Sequence, residues 1–146
     1  MQTSHNQLFV YGSLRSDFGH PAYASYISEH FVLLGPARVK GKVYDLGEFP
    51  GAVPTSAQDY ITGELYRLRE GQDFDWAMAQ LDDYEGLHES PPLYSRETAL
   101  VYTQNETTTA WMYWYNQPVD EKARILSGDV MQYLQEKSND GKQMNQ

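Results

Sequence analysis

Two segments hold side chains whose types and spacing could do chemistry. The first is Leu81-Asp82-Asp83-Tyr84-Glu85-Gly86. Phe74, Met78, Leu81 and Glu85 are spaced by four, three and four residues, so on a helix they share one face. The face that carries Phe74, Met78 and Leu81 into a core then aims Glu85 inward. Burial beside apolar side chains disfavours the charged carboxylate and raises its pKa. A glutamate tuned to about 6–7 can both take and give a proton near neutrality. Two other readings stay open from geometry alone: Glu85 past the helix end as a surface acid, or Glu85 paired with a buried arginine. Asp82 and Asp83 lie off this stripe and are expected in solvent.

The second segment is Tyr11-Gly12-Ser13-Leu14, where a short apolar run ends in a glycine and a small hydroxyl residue. Main-chain N–H groups at such a turn can hold an anion or a developing oxyanion, and a glycine lets a ligand approach the backbone closely. The pattern is neither a nucleotide phosphate loop nor a nucleophile elbow, which gives Ser13 a low prior as a hydrolase nucleophile.

The rest of the inventory narrows the chemistry. The chain has no cysteine, which removes thiolate nucleophiles, disulfides and Cys-ligated metals. Its histidines, His5, His20, His30 and His88, form no H-x-x-x-H pair, so no local motif indicates a metal site. Twenty acids against eleven bases give a net charge of −9, which disfavours nucleic acid and anionic membrane as partners. The start, Met1 to Gln7, has no basic segment followed by an apolar run, and no stretch approaches a membrane span. The expected location is the cytoplasm.

A length of 146 residues fits one domain with its own core. The expected domain covers residues 1–137, followed by a polar, frayed tail at 138–146. Twelve tyrosines suit half-buried pleated surfaces or an aromatic-lined pocket. Leu8 to Tyr11 reads as a strand and Ser16 to His30 as containing a short helix. Val32–Leu34 and Ala37–Leu46 read as strands around a Gly35-Pro36 turn. Gly47 to Thr55, with two glycines and two prolines, reads as an irregular loop. Asp59–Leu68 is a strand. Asp73 caps a helix to about Tyr84, and Gly86 is placed to stop it. Tyr94–Thr103 and Thr107–Tyr115 form a hairpin. Pro118 opens a last helix with Val119, Ala123, Leu126, Val130 and Tyr133 as its stripe. The order is α+β, and the strand count fits a closed or nearly closed sheet.

Tyr11-Gly12-Ser13-Leu14-Arg15 followed far downstream by Leu81 to Gly86 resembles the gamma-glutamylcyclotransferase-like family, which includes AIG2-like proteins and gamma-glutamylamine cyclotransferases. Gly41-Lys42-Val43-Tyr44-Asp45-Leu46-Gly47 with Pro50-Gly51, Gly63-Glu64-Leu65-Tyr66 and Tyr94-Ser95-Arg96 extend the resemblance from Leu8 to Tyr115. It implies a small mixed β-barrel with flanking helices. It implies that Tyr11, Gly12, Ser13 and Leu14 bind substrate through the backbone, and that Glu85 is the proton-transferring carboxylate. The implied activity, of transferase or lyase type, releases an amine or amino acid from a gamma-glutamyl compound as the glutamyl part closes to 5-oxoproline. No cofactor and no metal are implied, the partner is the small gamma-glutamyl substrate, and a monomer is expected. The alternatives are a non-catalytic binding module on the same barrel, or an enzyme removing a gamma-glutamyl or acyl group with a different nucleophile.

Overall fold

Period-two burial organises the first strand. In the computed structural model, which describes residues 6–12, 21–47, 50–84 and 92–144, strand β1 (Gln7–Val10) sends alternate side chains into two different cores. Phe9, followed by Tyr11, joins Val39, Ile61, Leu65, Val101, Ala110, Met112 and Trp114 in one cluster. Leu8 and Val10 join the second, with Ile27, Phe31, Met78, Leu81 and Tyr113. Such alternation is what a sheet with both faces covered requires.

The sheet is a closed barrel in the order β1-β5-β2-β6-β7. It uses β2 (Phe31–Lys40), β5 (Tyr60–Leu68), β6 (Tyr94–Tyr102) and β7 (Thr107–Tyr115). Neighbours run antiparallel except β1 and β7, which are parallel and in register at Leu8 and Trp111. Strands β3 (Lys42–Asp45), β4 (Pro50–Val53) and β8 (Arg124–Ile125) form a second sheet in the order β4-β3-β8. Its Val43, Ala52 and Ile125 pack with the first cluster. Helices α1 (Pro21–His30) and α2 (Phe74–Tyr84) supply the apolar partners of the second cluster. The small mixed barrel with flanking helices is therefore present as expected.

Three sequence expectations are corrected. Gly35-Pro36 is not a turn between two strands. It lies inside β2, where the pairing with β5 shifts register between Leu33 and Gly35 and Gly35 has φ +139°. The residue left out of the ladder is Leu34, and Pro36 stays in register opposite Glu64, so the chain runs on as one bulged strand. The segment Gly47 to Thr55 is not wholly irregular: Pro50–Val53 pairs with β3 in register from Asp45↔Pro50 to Lys42↔Val53. Proline is tolerated there because it is the strand's first residue.

The last helix does not open at Pro118. Glu121–Ala123 is one turn of 3-10 helix, β8 follows, and α3 (Val130–Met144) begins after Asp129. The Asp129 carboxylate accepts from the N–H groups of Met131 and Gln132 at 3.0 and 3.2 Å, which makes it the cap. Gly128 stands just before it at φ +73° and ends the possibility of one continuous helix. Its carbonyl accepts from Thr62 N–H at 2.8 Å, and a Cβ here would fall 2.0 Å from the Tyr60 carbonyl oxygen. Gly128→Ala is therefore expected to cost about 2–3 kcal/mol. Urea unfolding checks this; a loss under about 0.5 kcal/mol would contradict the close contact between β5 and the start of α3.

Candidate active site

Tyr11 follows β1 directly and is buried. Its hydroxyl is engaged on both sides: it donates to the Tyr113 carbonyl at 2.8 Å and accepts from Ala52 N–H at 3.3 Å. The tyrosine thus ties the end of β1 to β7 and to β4. Gly12 comes next. A Cβ on it would lie 2.8 Å from the Pro50 ring, so only glycine leaves room for β4 to approach this turn. Ser13 and Leu14 lie outside the described residues, as does Glu85.

Helix α2 leads toward that glutamate. Asp73 caps it by accepting from Trp76 N–H at 3.2 Å, as the sequence indicated. Met78 and Leu81 are buried on the expected face, and Phe74 packs beside them. The face is wider than expected, because Ala77 and Asp82 are buried as well. Residues 74, 77, 78, 81 and 82 form the full apolar-stripe spacing of a core-facing helix.

Asp82 was expected in solvent; it is 9 % exposed. It accepts two hydrogen bonds from Arg96, Nε to Oδ1 at 2.8 Å and an outer guanidinium nitrogen to Oδ2 at 3.1 Å. The Tyr113 hydroxyl adds a third at 2.8 Å. Arg96 and Tyr113 are directly opposite across the β6–β7 pair, so one cross-strand pair receives the helix carboxylate. The guanidinium also lies 4.9 Å from the Trp111 ring centre and 5.7 Å from that of Phe74. Burial of the charge is compatible with stability because the carboxylate is paired bidentately and further hydrogen-bonded. Asp83 is exposed, as expected.

Sequence reasoning missed this cluster, although Asp82 follows Met78 by four residues, which is the signal that could have found it. It also missed a second carboxylate. Asp45 ends β3 and accepts from the Tyr133 hydroxyl at 2.6 Å, Lys137 at 3.2 Å and Gly47 N–H at 2.8 Å. These contacts dock α3 on the second sheet. The Tyr133 hydrogen bond, helped by Gly47 and Lys137 and opposed by burial, holds the Asp45 carboxyl below its ordinary 3.8. The same bond, with burial, raises Tyr133 above its ordinary 10.0.

The signs follow from linkage. A depressed carboxyl stabilises the fold above its ordinary value and loses that contribution as pH falls through the lower folded value. A raised phenol contributes fully below its ordinary value and loses its contribution as pH rises through the higher folded one. Docking of α3 is thus expected to add stability between about pH 4 and pH 10 and to lose it beyond either end. The urea midpoints of wild type and Tyr133→Phe should differ at pH 7 and converge as pH falls below about 4. A constant gap from pH 7 to pH 2 would contradict it.

Among the described residues no three His, Asp or Glu side chains converge as a metal site. His30 pairs through Nδ1 with Gln72 at 2.9 Å and packs on the rings of Tyr26 and Trp76. Among the described residues no helix is long and apolar enough to cross a membrane.

The fold has solved counterparts. The crystal structure of YkqA from Bacillus subtilis superimposes with a TM-score of 0.69 and 25% identity over 92% of this chain and 42% of that one. An AIG2-like protein from Mus musculus gives 0.61 and 19% identity, with 81% of each chain covered. The architecture is thus the closed mixed barrel of AIG2-like proteins.

The sequence takes the assignment further. Residues 8–132 match the family model for gamma-glutamyl cyclotransferase, AIG2-like, and the chain belongs to that family. The gamma-glutamylcyclotransferase family protein YtfP of Escherichia coli K12 is 34% identical over 124 residues, which span 84% of this chain and 94% of that protein. The YtfP relative in Citrobacter rodentium is 32% identical over the same length.

Proposed function

We propose that this chain converts a gamma-glutamyl compound to 5-oxoproline and a free amine or amino acid. The supporting observation is the family match over residues 8–132, which contains both the Tyr11 to Leu14 turn and Glu85 in one aligned stretch. In the reaction the substrate's α-amine attacks its own γ-carbonyl. A ring C–N bond forms, and the bond to the leaving nitrogen breaks.

Each residue has a task in this scheme. The protein holds the substrate folded for ring closure, an entropic contribution of up to about 7–11 kcal/mol in well-oriented systems. The α-amine has a pKa near 8, so much of it is protonated at neutrality. Glu85 takes a proton from the attacking nitrogen and passes one to the leaving nitrogen. The main chain of Tyr11, Gly12, Ser13 and Leu14 holds the substrate or its oxyanion. The scheme requires no metal, thiol or cofactor, and it describes a monomer acting in the cytoplasm.

The test is a panel of gamma-glutamyl amines and dipeptides, with products read by mass spectrometry. Release of 5-oxoproline supports the reading. Free glutamate would show water as the nucleophile and a hydrolase on this barrel. Binding of panel members without any product would favour a binding module.

A further inference from the structure

Strand β4 is an edge. Among the described residues it pairs with β3 on one side only. Residues 50 and 52 alternate with 51 and 53, so their main-chain polar groups point to one edge of the strand together. Two tyrosine hydroxyls meet that edge where a neighbouring strand would otherwise be. Tyr94, from β6, donates to the Pro50 carbonyl at 2.5 Å. Tyr11, from the end of β1, accepts from Ala52 N–H at 3.3 Å. Buried main-chain groups need such partners.

The tyrosines therefore hold the second sheet against the barrel at one place, beside Gly12. The Pro50 ring occupies the space into which a Gly12 Cβ would project. Tyr94 is 4 % exposed, and its ring packs edge-on against Tyr115, its cross-strand partner, with centroids 5.6 Å apart. The phenol is thus fixed by packing, and its hydroxyl fixes Pro50.

We infer that Tyr94 is a positioning residue for substrate binding: acting through Pro50, it sets the backing of the Tyr11-Gly12 turn. This rests on the reading of that turn as the substrate cradle. The consequence is a specific kinetic signature. Loosening the backing of a cradle weakens substrate binding more than it slows ring closure.

The experiment uses Tyr94→Phe, which keeps the ring, and Pro50→Ala, which keeps the carbonyl and removes the ring behind Gly12. The control is Tyr26→Phe, which deletes a comparable hydroxyl-to-carbonyl bond, Tyr26 to Ala77 at 2.6 Å, between α1 and α2. The probe is the panel member that wild type turns over fastest. Both test variants are expected to raise KM about tenfold, with kcat within about threefold; the control should leave KM unchanged while its Tm falls. Melting temperatures lowered in the test variants with KM within about twofold of wild type would overturn the inference and leave the tyrosine purely structural. A fall in kcat at constant KM would overturn it too. If wild type forms no 5-oxoproline from any panel member, the reading of the site fails and the inference falls with it.

Discussion

Glu85→Gln is expected to lower 5-oxoproline release by at least about 10³-fold, because general acid–base catalysis contributes 10²–10⁴-fold and in the proposed mechanism this one carboxylate serves both proton transfers. Glutamine keeps the size and polarity of the side chain but cannot take a proton from the attacking amine. Thermal stability and binding of a non-reacting gamma-glutamyl analogue should stay close to wild type. Single-turnover rates and analogue titration, run side by side, measure both. Turnover within about threefold of wild type would remove Glu85 from the mechanism.

Asp82→Asn is expected to have the largest effect on stability, a loss of about 3 kcal/mol. Removing one partner of a buried ion pair costs about 3–5 kcal/mol, and this pair keeps a slightly solvated edge, which favours the lower end. The amide cannot serve the bidentate Arg96 fork as the carboxylate does, and the guanidinium is left among Trp111 and Phe74 without its counter-charge. For a domain of this size the melting temperature should fall by about 6–12 °C. Asp83→Asn, exposed on the neighbouring position, should change stability by less than about 0.5 kcal/mol. Calorimetry of the two variants decides it; equal melting temperatures would show that the Arg96 fork contributes nothing net.

The contrast between these two adjacent acids shows how far a sequence can be read. Local signals were legible. Asp73 as a cap, the β6–β7 hairpin and a strand starting near Leu8 depend on residues near one another in the chain, and they emerged as expected. The closed mixed barrel came from the resemblance, since periodicity carries no information on which strands pair. What failed was contextual. Asp82 looks like a solvated acid because Arg96 and Tyr113, which neutralise and satisfy it, come from two distant strands. Gly35-Pro36 looks like a turn because its continuation as β2 depends on β5 alongside. The stripe from Val119 to Tyr133 matched helical spacing, yet Gly128 and the pairing of β8 with β3 decide otherwise. At the candidate site, Tyr11 and Gly12 stand out in the sequence as part of the motif that carries the resemblance. The role of Pro50 behind Gly12 was not legible, because it requires the second sheet to fold onto the end of the barrel.

The parallel pairing of β1 with β7 has a consequence for how the protein would respond to the proposed substrate. The strand that leads into the Tyr11-Gly12 turn is the same strand that closes the barrel, through Leu8 against Trp111. Under the proposed function the cradle exists only in the closed state, because a chain with β1 detached has lost two strand pairings and the placement of Tyr11 and Gly12. Occupancy and closure are then one linked equilibrium, in which ligand binds the folded chain alone and draws the population toward it by mass action. A substrate at one hundred times its dissociation constant adds about 2.7 kcal/mol to the stability of the whole domain. Under the proposed function, substrate supply thus also shifts how much of the chain is folded.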